Sequence, residues 1–179
     1  WCAIFSNMLF ADVEKAETFF EAALYAEAIP YYQKALERVE PSLTAMQIRL
    51  RLGQAYFLDK QYEACCAIIK DNLYFETQPL SMEEEIQRIS LYLSGVSHRC
   101  LAQYAKAIEE LTQYLQQDEP CSLYFHDEAL FELGLACLAA QQTSESKKAF
   151  KLSVDHAQQP RLAFLSSLYL ARIDLSEGK

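Results

Sequence analysis

Tyr25-Ala26-Glu27-Ala28-Ile29-Pro30-Tyr31-Tyr32-Gln33-Lys34-Ala35-Leu36 is the stretch on which the fold turns. Ala28 follows Tyr25 by three residues, Tyr32 follows Ala28 by four, and Ala35 follows Tyr32 by three. Residues three, four and seven apart share one face of an α-helix, so this is a helix with small and aromatic residues on one side. Upstream, Ala16 and Phe19 begin the same pattern on a preceding helix. The whole motif recurs as Gly53, Tyr56, Tyr62, Cys65, Ile69, Asn72, then as Gly95, His98, Tyr104, Ala107, Leu111, Tyr114. A worn fourth copy reads Gly134, Cys137, Thr143, Ser146, Phe150, Ser153. A pattern repeated in phase along most of a chain describes a repeat array, whose function usually lies in a surface.

Each residue type has a steric reason. Glycine inside a helix costs about 1 kcal/mol relative to alanine. Gly53, Gly95 and Gly134 are tolerable mid-helix if a second helix approaches closely there. Ala28 and Ala107 are the small positions facing them, and the aromatics fill the space between hairpins.

The spacing resembles the tetratricopeptide repeat family from about Asn7 to Lys179. Leu52-Gly53 with Tyr56, and Leu133-Gly134 in the same phase, match the family's Leu-Gly-x-x-Tyr core, with Cys137 in place of the tyrosine. The resemblance implies an all-α, right-handed α-solenoid of about four helical hairpins plus a terminal helix. It implies one domain over residues 1–179, with repeats at 7–41, 43–79, 82–120 and 122–160 and a partial one at 161–179. The copies are 37 to 42 residues apart, against a usual period of about 34. The additional residues fall after each second helix, where Pro41, Pro79, Pro120 and Pro160 mark the ends.

Helices are expected at about Asn7–Ala23, Ala26–Val39, Leu43–Leu58, Gln61–Tyr74, Met82–Leu101, Tyr104–Gln116, Ser122–Ala140, Ser144–Ala157 and Arg161–Ser176. Pro30 falls early in its helix, where it is best tolerated. Ser81 followed by Glu84 is a capping-box signal, and Thr143 or Ser144 is placed to cap the helix after it. The last helix repeats the first-helix pattern at Leu170-Ala171, and Gly178 falls where a hairpin turn should begin. Its apolar face, with Leu165, Leu168 and Tyr169, is therefore expected to lack full cover within the chain. This favours a piece of a longer repeat protein, or self-association through that helix.

The chain is 51% hydrophobic with a formal charge of −9. Its pI is near 4.8. Acidity disfavours nucleic acid, which needs a basic face. The apolar stretch from Trp1 to Phe10 is too short to span a bilayer. It reads as a signal-peptide remnant, the start of the first helix, or a docking strand. The six cysteines include no Cys-x-x-Cys. Cys65 and Cys137 sit at positions the repeat buries, and free thiols suit a reducing cytosol, although Cys100 and Cys121 could pair in an oxidising compartment.

No phosphate loop, nucleophile elbow or zinc-protease motif occurs, so an enzyme, a cofactor or a metal is not expected. His98 occupies a repeat aromatic position and reads as packing. Asp127 and Glu128 complement the positive end of a helix, and Glu83-Glu84-Glu85 forms a solvated first turn. The remaining reading is a scaffold that binds a protein or peptide. Its alternatives are a segment used in self-assembly or envelope assembly, by similarity to bacterial envelope lipoproteins with lengthened repeats, and a type III secretion chaperone.

In this family the first helices line a concave groove, with binding residues at fixed offsets from the small position. Those offsets fall here on Val13, Glu17 and Phe20, on Leu50, Gln54 and Phe57, on Tyr92, Val96 and Arg99, and on Phe131, Leu135 and Leu138. The family's carboxylate clamp needs Lys, Arg and Asn at several of these places, which Val13, Glu17, Leu50 and Tyr92 occupy instead. The groove thus reads as apolar and aromatic, with Arg99 as a polar anchor, suiting an extended apolar peptide or an amphipathic helix.

Overall fold

The computed structural model describes residues 2–74, 81–116, 125–156 and 158–178, and within them every regular element is an α-helix. The helices are α1 (Cys2–Glu21), α2 (Tyr25–Leu36), α3 (Leu43–Leu58), α4 (Tyr62–Leu73), α5 (Met82–Cys100), α6 (Tyr104–Leu115), α7 (His126–Ala139), α8 (Thr143–His156) and α9 (Pro160–Ser176). They belong to two compact units, Trp1–Ser97 and His98–Lys179, whose boundary falls in the last turn of α5. In the first unit α1 packs on α2, α2 on α3 and α3 on α4. In the second α6 packs on α7, α7 on α8 and α8 on α9. Sequential antiparallel pairs of this kind are the packing of a tetratricopeptide-like array.

The glycines lie where close approach demands them. Gly53 is inside α3, and a Cβ there would collide with Ile69 of α4. Gly134 is inside α7, and a Cβ there would stand 2.5–2.9 Å from three ring carbons of Phe150 in α8. Gly95 is buried within α5. Where the glycine leaves room, Ser146 of α8 donates its hydroxyl proton to the Gly134 carbonyl at 2.9 Å.

The hairpin turns follow a rule the residue types do not advertise. Seven residues after each small position the chain takes a left-handed backbone conformation: Ala23 (φ 57), Lys60 (φ 63), Ala102 (φ 58) and Gln141 (φ 62). At each turn the next N–H reaches back five residues, from Leu24 to Phe19, Gln61 to Tyr56, Gln103 to His98 and Gln142 to Cys137, at 2.8–2.9 Å. A shorter bond runs inside it, as from Lys60 N–H to the Phe57 carbonyl at 3.0 Å. This is the Schellman closure of a helix C-terminus, made four times without glycine. Gly178 (φ 74) holds the same place after Ala171, so α9 ends as the other first helices do.

Three local expectations change. Thr143 begins α8 rather than capping it, because Gln142 at the end of the turn already accepts the Ser146 N–H at 3.0 Å. Pro160 opens α9 instead of closing α8, using the position where a missing N–H costs nothing. Pro30 lies inside α2, past the free donors, and leaves the exposed Ala26 carbonyl to solvent. Ser81 does cap α5, accepting the Glu84 N–H at 3.2 Å, and Ser42 caps α3 through the Ala45 N–H at 3.3 Å. Pro79, Pro120, Ser122 and Cys121 lie outside the described residues.

Ion pairs pin first helices to second helices. Asp12 of α1 is buried and binds Lys34 at 3.2 Å and Arg38, both from the α2 segment. Arg49 of α3 meets Asp71 of α4 at 3.7 Å. In the second unit Lys147 of α8 donates to Asp174 and Glu177 at 2.6 Å each. Asp127 of α7 is buried and accepts the N–H groups of Gln158 and Gln159 at 2.6 and 3.1 Å, so it tethers the residues that lead into α9.

Candidate functional site

In the first unit, α1 and α3 line one cavity of about 510 Å3. Val13 and Glu17 come from α1 and Leu50 and Gln54 from α3, so four of the expected groove positions share this space. Phe10, which is 68% exposed, and Ile48 add apolar wall. The floor is polar. Glu17 Oε1 accepts the Tyr32 hydroxyl proton at 2.7 Å and pairs with Arg51 Nε at 3.1 Å. Arg51 also donates to Gln54 Oε1 at 3.3 Å and lies over the Phe20 ring, 5.1 Å from its centre. Burial and the Glu17 carboxylate together push the Tyr32 phenol far above its ordinary pKa, so it remains a donor.

Phe20 and Phe57 are half-buried against the turns of their own hairpins. Phe20 packs edge-on to Tyr25 and Tyr32, and Phe57 edge-on to Tyr62. Neither is among the residues lining the cavity. Sequence reasoning missed Arg51, which joins Glu17 to Gln54. Its signal was available, since Arg51 and Glu132 each stand two residues before a repeat glycine.

Other expected positions are enclosed. Tyr92 and Val96 are 8% and 4% exposed and belong to a run from Ser90 to Ser97 that is buried on every side of α5. These two side chains do not present a surface to a partner. Arg99, expected as a polar anchor, is held by Glu132 of α7. Burial pushes the Glu132 carboxyl up, and Arg99 opposes that shift. Phe131 is half-buried against Phe150 and Tyr169, and Leu135 is half-buried on α7. His98 Nδ1 lies 2.6 Å from Glu110 Oε2, a hydrogen-bond distance between the end of α5 and α6.

Cys65 and Cys137 are buried free thiols, as their repeat positions predict. Burial pushes the Cys65 thiol up to about 12. Among the described residues no cluster of three His, Cys, Asp or Glu side chains is placed to hold a metal ion. Among them also, no helix is long and apolar enough to cross a membrane.

Paired helices with in-phase glycines, four identical turns and a cavity between first helices define a tandem helical-hairpin protein. Residues 13–64, which contain the first hairpin and the start of the second, match the model of the tetratricopeptide repeat family. Over those residues the chain carries tetratricopeptide repeat sequence. No curated protein matches it. Such repeats generally mediate protein–protein interaction and typically act as non-enzymatic scaffolds.

Proposed function

We propose that this chain is a non-enzymatic interaction scaffold, one repeat domain over residues 1–179, that holds an apolar peptide or amphipathic helix against α1 and α3. The observation that carries the reading is the shared cavity of Val13, Glu17, Leu50 and Gln54. Its apolar walls accept aliphatic side chains. The Arg51 and Gln54 side chains that line it offer donors to a peptide's carbonyl oxygens, which an extended or helix-end backbone leaves free. Phe131 and Leu135 are proposed as further contacts in the second unit, and nucleic acid has no role in this reading.

Peptides selected from a random display library on the wild-type chain test it by fluorescence anisotropy. Val13→Asp and Arg51→Ala should each weaken the selected peptides at least tenfold with the melting curve unchanged. Equal binding by both variants would remove the groove from consideration.

A second reading is assembly through α9, because Phe164, Leu168 and Leu175 are 63%, 51% and 76% exposed on that helix. Sedimentation of the wild type and of Leu168→Arg would separate the two readings. A concentration-dependent dimer lost in the variant supports assembly, and a monomer in both rejects it.

A further inference from the structure

The outward face of α9 is apolar along its centre and basic along one edge. Phe164, Leu168 and Leu175 are exposed and lie four and seven residues apart, so they share a face. Arg161 and Arg172, both exposed, stand eleven residues apart along one edge of that face. α1 carries the counterpart. Phe10, Val13 and Glu17 line the groove, and exposed Glu14 and Glu21 stand seven residues apart along one edge of that face. Among the described residues none of Glu14, Glu21, Arg161 and Arg172 forms an ion pair or a side-chain hydrogen bond.

Two of these charges oppose the dipoles of their own helices. Arg161 stands in the first turn of α9, at the positive end, and no acidic residue shares that turn. Glu21 is the last residue of α1, at the negative end, and no basic residue stands in that last turn. Each end lacks a charge of the opposite sign.

We infer that the helix held in the α1 groove is α9 of a second copy of this chain, running antiparallel to α1. Two facing helices bring edges of the same hand together only when antiparallel, and that orientation also sets the positive end of α9 beside the negative end of α1. Arg161 then meets Glu21, and Phe164 and Leu168 come down on the turn between Val13 and Glu17. The two arginines are roughly 16 Å apart along their helix and the two glutamates roughly 10 Å apart along theirs, a difference that the Arg172 side chain spans to reach Glu14. An antiparallel α9–α9 contact would instead gather four arginines along one edge, because the acids of α9, Asp174 and Glu177, are bound by Lys147. The charges select orientation and partner, while the covered apolar side chains supply the affinity. The inference rests on the proposed groove and names its occupant.

Sedimentation of the full chain over a range of concentrations tests it. The wild type should associate as concentration rises. The double change Glu14→Arg with Glu21→Arg alters only exposed side chains and should weaken association at least tenfold. Arg161→Glu with Arg172→Glu should do the same. The chain carrying all four changes restores opposite charges across the contact and should regain most of the wild-type association. A monomeric wild type overturns the inference. So does a Glu14→Arg, Glu21→Arg chain that associates as well as the wild type, or a fourfold variant no better than the double ones. A monomeric wild type that still binds display-selected peptides in a Val13-dependent way would remove α9 as the occupant and leave the groove standing.

Discussion

Replacing Gly134 with alanine sets two effects against each other, and the structure decides which wins. Alanine gains about 1 kcal/mol of helix propensity over glycine. Its Cβ would stand 2.5, 2.7 and 2.9 Å from three carbons of the Phe150 ring. Relief requires that ring to move. Phe150 is fully buried, stacks on Tyr169 with ring centres 5.1 Å apart, and abuts Phe131 at 5.9 Å. A pinned ring places the overpacking cost near the upper end of the usual range, about 3 kcal/mol. The net destabilisation is then about 2 kcal/mol, or roughly 4–8 °C in melting temperature for a chain of this length. Urea denaturation of Gly134→Ala, Phe150→Leu and the double variant measures it. Phe150→Leu alone leaves a cavity, but it should absorb the new methyl, so the double variant should be more stable than the sum of the single effects by about 1 kcal/mol or more. A Gly134→Ala variant more stable than wild type would show that propensity alone governs the site, and the close-approach argument would fall.

Ala102→Gly should stabilise the chain by about 0.5–1 kcal/mol, because Ala102 holds a φ of 58 that glycine adopts without strain; a loss of stability in thermal melts would contradict the turn geometry. Asp127→Ala should cost about 1–2 kcal/mol by leaving the Gln158 and Gln159 N–H groups without their acceptor. Hydrogen exchange should then speed up first at Gln158 and Gln159, and uniform acceleration would argue against the tether. Burial holds the Glu132 carboxyl above its ordinary pKa against the pull of Arg99. The folded state therefore keeps a proton that the unfolded chain releases, and stability falls as pH rises through the interval just above the ordinary carboxylate range. Glu132→Gln should flatten that part of the pH–stability curve, and an unchanged slope would refute the assignment. At pH 8 iodoacetamide should modify exposed Cys100 and spare Cys65, whose buried thiol is pushed up to about 12; modification of Cys65 at a comparable rate would show that its pocket opens.

The glycines, the helix order and the buried cysteines could be read from residue types, because a small side chain in phase with a facing aromatic is what two closely packed helices require. The four turns could not. Ala23, Lys60, Ala102 and Gln141 have no common chemistry and none is the glycine or asparagine that signals a left-handed turn. Only Gly178 gave its conformation away. The burial of Tyr92 and Val96 did have a signal. From Ile89 to Ser97 the chain carries no charge, and a helix without a charged face is enclosed rather than groove-lining. Arg99 is a different case. Its type marked it as polar, but its tie to Glu132 depends on the approach of α7, which offsets along one helix do not encode.

The reversed polarity of the first two hairpins bears on how a repetitive chain chooses among near-identical pieces. Asp12 and Arg49 occupy the same repeat position, as do Lys34 and Asp71, yet the signs are exchanged. If α1 were to take α4 as its mate during folding, Asp12 would face Asp71. If α3 were to take α2, Arg49 would face Lys34. The native mates attract only modestly because they are partly exposed, but both exchanged pairings set like charges together. Sequence divergence between repeats thus discriminates correct hairpins from crossed ones, working against the wrong pairing more than for the right one.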